Sequence, residues 1–309
     1  MAIDTALEAV LKRDRLVVIG GLAGVIALAW VYILLGAGMD MGALEMTRMS
    51  TPAGFGSPTE TTMDMSSDAP AESRQMAEGT DTQSEVGAAP GMMDMAMEAM
   101  RPMAWTPGTA VLMFFMWWIM MVAMMLPSAA PMILLFAAVN RKQREKGSPY
   151  VPAGIFAFGY LAAWGVFSLL ATTAQWGLEK TQLLSSMMVG TSVVLGALLL
   201  IAAGVWQLTP LKHACLKHCR SPLHFLSHHW HKGRMGAFRM GVEHGAFCLG
   251  CCWFLMALLF YGGVMNLYWI VGLALFVLLE KVLPGGHRIG SVAGVGLLAW
   301  GGLLLVGSL

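Results

Sequence analysis

The chain has 309 residues, of which 57% are hydrophobic and 12% are charged, and its formal net charge is +1. Soluble globular domains carry about twice that share of charged residues, so the composition excludes this class and indicates an integral membrane protein. We therefore expect the lipid bilayer as the main partner of the chain and no nucleic acid partner.

Seven stretches are apolar for long enough to cross a bilayer, which takes about 20 residues for a hydrocarbon core of roughly 30 Å. They lie at residues 16–37, 109–139, 152–176, 187–209, 246–264, 265–283 and 289–307. Only Gly262, Gly263 and Asn266 divide the fifth stretch from the sixth, so six spans is the alternative count. We predict an all-α fold, a polytopic transmembrane helix bundle of about seven spans.

The basic residues are distributed unevenly between the two sides of the predicted bundle. With a cytoplasmic N-terminus, fifteen of the nineteen Lys and Arg residues fall in cytoplasmic segments. This bias favours a multi-pass protein of a bacterial cell inner membrane in that orientation. We divide the chain into residues 1–37, an N-terminus with the first transmembrane anchor, residues 38–108, a periplasmic loop, and residues 109–309, a six-span membrane domain. That last domain includes a His- and Cys-rich cytoplasmic loop at 210–245.

The outer loop is acidic and rich in methionine, and we expect it to be largely disordered. Residues 38–103 contain thirteen of the 27 methionines, and the tripeptide Met-Asp-Met occurs three times, beginning at Met39, Met63 and Met93. Thioethers are soft ligands that select copper(I) and remain usable in an oxidising compartment. The tract therefore predicts metal capture, with low-complexity drift or an adaptable interaction surface as the alternatives.

The second span carries a methionine stripe followed by two prolines. Met113, Met116, Met120 and Met124 share one helical face, and Met121 and Met125 form a second pair beside them. These spacings make five residues candidate ligands, namely Met116, Met120, Met121, Met124 and Met125. Lipid-facing or core packing is the alternative. Pro127 and Pro131 interrupt the helix, which indicates either a binding site or a packing kink in which Ser128 bonds back to the helix.

Residues 213–252 contain all five cysteines and seven of the eight histidines. The first part of this region offers His213, Cys215, His218 and Cys219 as candidate ligands. In the second part a ladder of donors recurs at every fourth position, on one face of a helix that enters the bilayer. The candidates there are Met240, His244, Cys248, Cys252 and Met256, with Cys251 alongside. Cysteines that pack as small apolar residues are the alternative.

This combination of thiol, thioether and imidazole donors predicts binding of copper(I). Zinc is the alternative, and it ranks lower because zinc-finger spacings are absent. We find no Walker-type loop and no hydrolase triad, so no catalytic residue is proposed. The predicted function is capture of copper(I) and its transfer or transport within or across the membrane. A membrane cuproenzyme or a soluble copper chaperone is the expected partner. A membrane redox or assembly factor, or a structural subunit of a larger complex, is the alternative.

Several of these motifs together resemble a known family. They are the run Trp118–Ser128, the segment Leu208–Lys212 with Cys215 and Cys219–Pro222, the segment Gly241–Gly245 with Cys248–Trp253, then Met265-Asn266 and Glu280-Lys281. As a set they resemble the domain of unknown function 2182 family, described as predicted metal-binding integral membrane proteins, over residues 105–309. The resemblance implies a metal site. Glu280 is expected to pair with Lys281 or with a partner helix.

Overall fold

The computed structural model describes residues 2–39, 42–49, 105–144, 151–185 and 188–308. Of these residues 85% are helical and none forms a strand, apart from one isolated bridge between Leu184 and Gly190. The predicted all-α class is confirmed.

Eleven helices occur in the described part of the chain. In chain order they are α1 (Ala2–Leu34), α2 (Ala43–Met49), α3 (Pro107–Arg144), α4 (Ala153–Lys180), α5 (Val193–Leu208), α6 (Pro210–Arg220), α7 (Pro222–His228), α8 (Gly233–Ala257), α9 (Leu259–Gly262), α10 (Leu267–Val282) and α11 (Gly286–Gly307).

Five of the helical segments are long and apolar enough to cross a membrane. They are Arg15–Leu34, Pro107–Lys142, Ala153–Lys180, Gly233–Gly262 and Gly286–Gly307, and a sixth is added if α5 and α6, bent by 65° at their junction, count as one span. Helix α10 is apolar, but its 16 residues rise only about 24 Å, which is less than the hydrocarbon thickness. The structure thus supports five or six spans by length, against about seven predicted.

Helices α3 and α8 lie at the centre of the bundle. Within an 18-residue apolar stretch of each span, 50% of the residues are buried in α3 and 61% in the span Gly233–Gly262 that contains α8, compared with 11% in α1. Helix α8 packs closely on α4. Gly159 of α4 faces the backbone of α8, and Gly241 of α8 faces the backbone of α4. A Cβ atom at Gly159 would collide with the carbonyl oxygen of Phe238, and one at Gly241 with that of Phe156. These glycines set the short α4–α8 distance.

Two segments that the sequence places in loops are helical. The predicted cytoplasmic loop 210–245 contains α6 and α7 and the first three turns of α8. Within the outer tract, Ala43–Met49 is helical, and the buried hydroxyl of Thr47 accepts a hydrogen bond of 2.9 Å from the backbone N–H of Leu267. The expected disorder of residues 50–104, with two of the three Met-Asp-Met repeats, falls outside the described residues. The division into three domains stays a prediction.

Candidate metal centre

The methionine stripe of α3 faces the interior of the bundle. Met116, Met120, Met121, Met124 and Met125 are each no more than 1% exposed. Their thioethers therefore lie among protein groups rather than among lipids, which is a condition for any ligand role. The pattern gave the face correctly because the spacing follows the helical period.

The donor ladder of α8 is also buried. The shared face of the helix carries Met240, His244, Cys248, Cys252 and Met256, all at most 3% exposed, and Cys251 beside them is fully buried. The thiols of Cys251 and Cys252 each donate to the backbone carbonyl of Cys248, at 3.0 Å.

One sulfur of α8 meets one sulfur of α3. The Sγ atom of Cys252 lies 3.9 Å from the Sδ atom of Met125. Two sulfur ligands that share one ion at roughly 2.3 Å each, in a trigonal arrangement, would be about 4 Å apart. The separation therefore suits a shared soft ion.

Cys248 is surrounded by polar groups from two further helices. The hydroxyl of Tyr160 in α4 lies 3.0 Å from Cys248 Sγ, and Lys281 Nζ in α10 donates to the same sulfur at 2.9 Å. Lys281 Nζ also donates to Ser128 Oγ at 3.1 Å. Ser128 in turn donates to the carbonyl of Met125 at 2.8 Å, as expected for a hydroxyl that bonds back to its helix after a proline. A cationic neighbour favours the thiolate, which is the form that binds metal.

Helix α6 brings a fourth thiol to this place. It packs on α8, and the thiol of Cys219 interacts with those of Cys248 and Cys251. Cys215, one turn earlier in α6, approaches Gly250, where an added Cβ would lie 3.0 Å from its sulfur. The sequence treats these cysteines and those of α8 as two parts of one region, and the structure places them together.

The predicted histidine ligands are distributed differently. His244 is buried among aromatic rings, with its ring centroid 5.8 Å from that of Tyr160, and its Nδ1 has no hydrogen-bond partner among the described residues. His213 lies in α6, and its buried Nε2 is likewise without such a partner. The Nδ1–H of His218 donates to the carbonyl of Ala214 at 2.9 Å, and its ring stacks on Phe247.

Three further histidines lie near His218, on and beside α7. The rings of His224 and His228 stack with centroids 4.1 Å apart, and His229 stacks on Phe225. Repulsion from His228, together with smaller contributions from burial and from other nearby cationic side chains, lowers the pKa of His224 from its usual value. These imidazoles form a histidine-rich surface that is exposed or half-buried.

In the part of the chain that the structure describes, no group of three or more His, Cys, Asp or Glu residues is arranged so as to hold a metal ion. Methionine lies outside that set of donors. The arrangement that remains is a mixed one, in which thioether and thiol sulfurs meet between α3, α6 and α8. Soft sulfur donors of this kind favour copper(I).

The sequence analysis did not identify Tyr160 as a functional residue, and it considered Lys281 only as a possible ion-pair partner of Glu280. Glu280 forms a buried ion pair with Lys212 of α6 rather than with Lys281, so the expected pairing with another helix is the one observed. A signal for Lys281 was present, since it is a cation in an apolar helix. Tyr160 has no such local signal.

Comparison with known families agrees with a metal role. Residues 114–304 match the family model of PpoB2, described as a copper chaperone. No protein of curated function and no solved structure matches the chain. The matched model does not carry the name of the domain of unknown function 2182 family, so that resemblance stays a proposal. Because the match covers well over half of the chain, the protein belongs to the PpoB2 copper chaperone family.

Proposed function

We propose that the protein is a membrane-embedded chaperone for copper(I), which holds its cargo between Met125 of α3 and the cysteines Cys248 and Cys252 of α8. The observation that carries this proposal is the 3.9 Å separation between the sulfurs of Met125 and Cys252 in the buried interior. Family membership supports copper as the cargo, and the donor chemistry supports its reduced form.

The charges around the site favour a monovalent ion. When copper(I) displaces the thiol protons of Cys248 and Cys252, the two thiolates, the ammonium of Lys281 and the copper(I) ion sum to zero formal charge. A zinc ion in the same place would leave one uncompensated positive charge among buried side chains. Uncompensated buried charge is costly, so this balance supports copper(I) over the zinc alternative.

The remaining sulfurs suggest a path through the protein. The buried stripe of Met116, Met120, Met121 and Met124 extends from the site along α3. On the other side, Cys219 and Cys251 lie next to Cys248. Exchange between neighbouring soft ligands would let the ion move stepwise. His213, Cys215, His218 and Met256 complete the candidate ligands, and their roles stay predictions.

The wider setting belongs to the same proposal. We place the protein in a bacterial inner membrane, with its N-terminus in the cytoplasm and the Met-rich tract 38–108 in the periplasm as the entry point for copper. Its partner would be a membrane cuproenzyme or a soluble copper chaperone. The bias of basic residues supports this orientation.

Metal analysis of purified protein tests the proposal. Wild type, Cys248→Ser, Cys215→Ser and a chain lacking residues 38–103 are loaded with copper(I) in detergent, and bound copper is counted by mass spectrometry. We expect Cys248→Ser to lose most of its copper. Cys215→Ser also removes one thiol, but from a side chain that packs on Gly250. This variant should keep most of its copper. Negligible copper in the wild type would refute the proposal.

A second candidate function is thiol–disulfide exchange, favoured by the contacts of Cys219 in α6 with Cys248 and Cys251 in α8. Counting free thiols before and after mild oxidation separates the two functions. A disulfide that forms readily and reopens with a thiol reductant, in protein that binds no copper, would favour the exchange function.

A further inference from the structure

Helix α6 packs against α8, the helix that carries the buried thiols. It is bent by 65° from α5 at Thr209, whose hydroxyl accepts a hydrogen bond of 3.2 Å from the backbone N–H of Lys212 and so caps the new helix. The residue that follows the cap is Pro210, which is well suited to the first helical turn. The local sequence thus specifies both the end of α5 and the start of α6.

Both ends of α6 are tied to the last turn of α10. Near its start, Lys212 forms an ion pair with Glu280, and these side chains are 0% and 1% exposed. At its other end, Arg220 Nη2 donates to the carbonyl of Leu283 at 2.6 Å. Two attachments at opposite ends fix both the position and the direction of a short helix.

Helix α11 leaves space for these attachments. A Cβ atom at Gly290 would collide with the carboxylate of Glu280 and lie 3.1 Å from Lys212 Nζ. One at Gly286 would collide with the carbonyl oxygen of Glu280 and lie 3.0 Å from Arg220 Nη1. Three helices are therefore shaped around the same buried pair.

The ion pair is not fully satisfied. Glu280 Oε2 is buried and has no hydrogen-bond partner in the described part of the chain. Buried ion pairs often contribute no more to stability than apolar contacts of similar volume, and an unpaired buried oxygen adds a cost, so the pair is weak evidence for a role in stability alone. It does provide a contact that is specific in direction and that can be broken.

We infer that Lys212 and Glu280 are positioning residues, which hold α6 closed so that Cys219 lies against Cys248 and Cys251. In this closed position Cys219 is the ligand through which copper leaves the interior. Opening of the pair frees α6 and turns Cys219, which is half-buried in the closed position, further towards an acceptor. This inference rests on the proposed copper function, but the movement of α6 is measurable without copper.

Thiol labelling tests the position of α6 directly. In a background with Cys219 as the sole cysteine, the rate of alkylation by a maleimide in detergent measures the accessibility of this half-buried thiol, and the change in rate between variants reports opening of α6. We expect Glu280→Gln to speed labelling by about tenfold, because it leaves Lys212 unpaired. Glu243→Gln is the control: Glu243 pairs with Arg239 one turn earlier in the same helix α8, so the loss of this pair leaves both attachments of α6 to α10 in place and should not change labelling.

A double variant separates coupling from general loosening. Lys212→Met with Glu280→Gln removes the same contact as Glu280→Gln alone and leaves no unpaired charge, so labelling should stay faster than in the parent and be no faster than in Glu280→Gln. A purely structural effect of each residue would instead add in the double variant. If Glu280→Gln does not fold, Glu280→Asp, which keeps the charge on a shorter side chain, and the double variant carry the comparison.

Copper release gives the second measurement, in chains with all five cysteines. Wild type and Glu280→Gln are loaded with copper(I), and transfer to a soluble copper(I) chelator is followed. We expect similar copper at the start and about tenfold faster release from the variant. Unchanged labelling and unchanged release in folded Glu280→Gln would overturn the inference. Absence of copper in the wild type would overturn the proposed function instead, and the labelling rates would still decide the role of the pair.

Discussion

Two regions of this protein contain the residue types that bind soft metals, and they are built differently. In the sulfur interior, defined by Met125, Cys248, Cys251 and Cys252, every side chain is buried. In the histidine surface, defined by His218, His224, His228 and His229, the side chains are exposed or half-buried. The sulfur interior is assembled where side chains of α3 reach those of α8, because both helices pack on α4, while the histidine surface follows from local sequence alone.

The hydrogen bonds show the same contrast. Cys248 has partners from α4 and α10, whereas His218, His228 and His229 each donate from Nδ1 to a carbonyl four residues earlier. Such local bonds hold each ring against its own helix and leave Nε2 available. A high density of histidines in a sequence therefore does not by itself make a site. In the sulfur interior, by contrast, side chains from separate helices converge.

Breaking the helix packing should have the largest effect on this comparison. Gly241→Ala places a methyl group against the carbonyl of Phe156, and backbone on both sides leaves no room to adjust. We expect a loss of more than about 3 kcal/mol of stability and the loss of copper from the sulfur interior. Gel filtration and thermal unfolding in detergent measure it.

Gly272→Ala is the matched control for that substitution. An added Cβ at this position in α10 meets no atom within 4 Å, so stability should be unchanged or rise by up to about 1 kcal/mol. Equal behaviour of the two variants would show that the close approach of α4 and α8 does not hold the interior together.

Removing a single sulfur should have the next largest effect. Met125→Leu keeps the side-chain volume and costs little packing energy, but it removes the thioether beside Cys252. Changes outside the ligand set already weaken metal binding by about 10- to 100-fold, so we expect about a 100-fold loss of copper(I) affinity. Competition with a copper(I) chelator measures this.

Met113→Leu is the control for the thioether. Met113 is buried in the same helix, and its sulfur accepts a hydrogen bond from Gln175 at 3.5 Å. It lies twelve residues, or about 18 Å along the helix, from Met125. The copper(I) affinity of Met113→Leu should equal that of the wild type. An equal loss of affinity in Met113→Leu and Met125→Leu would contradict a site at Met125.

The faces of the helices could be predicted from the sequence, and their partners could not. The spacing of Met120 and Met124, and of Cys248 and Cys252, is local information that the helical period converts into a face. The meeting of Met125 with Cys252 depends on how α3 and α8 each pack on α4. No local pattern encodes that distance.

The span count shows a second limit. The sixth apolar stretch was predicted at 265–283. Its predicted start near Asn266 agrees with the structure, because the side chain of Asn266 caps α10 by accepting a hydrogen bond from the backbone N–H of Tyr268. Helix length, however, depends on where the chain turns at its other end, near Leu283. Hydropathy measures apolar length and not helix length, so α10 came out shorter than predicted.

The role of Tyr160 gives a prediction of intermediate size. Its hydroxyl approaches Cys248 Sγ at 3.0 Å and donates to the carbonyl of Met125 at 3.2 Å, so it orients groups on both sides of the proposed ion. Tyr160→Phe keeps the ring and should lower copper(I) affinity by about tenfold with little change in folding. The same chelator competition measures it, and unchanged affinity would remove Tyr160 from the site.

The smallest effect is expected at the histidine surface. His228 is the main cause of the lowered pKa of His224, so His228→Ala should raise the pKa of His224 towards its usual value of about 6.5. Between the lowered pKa and about 6.5, the unfolded chain holds more protons at His224 than the folded chain does. Acidification through this pH window therefore destabilises the fold, and His228→Ala should lose part of this pH dependence of stability. Histidine NMR titration measures the shift. The sulfur interior should keep its copper in His228→Ala, because no side chain of α7 contributes a sulfur to it, and a loss of copper here would erase the distinction between the two regions.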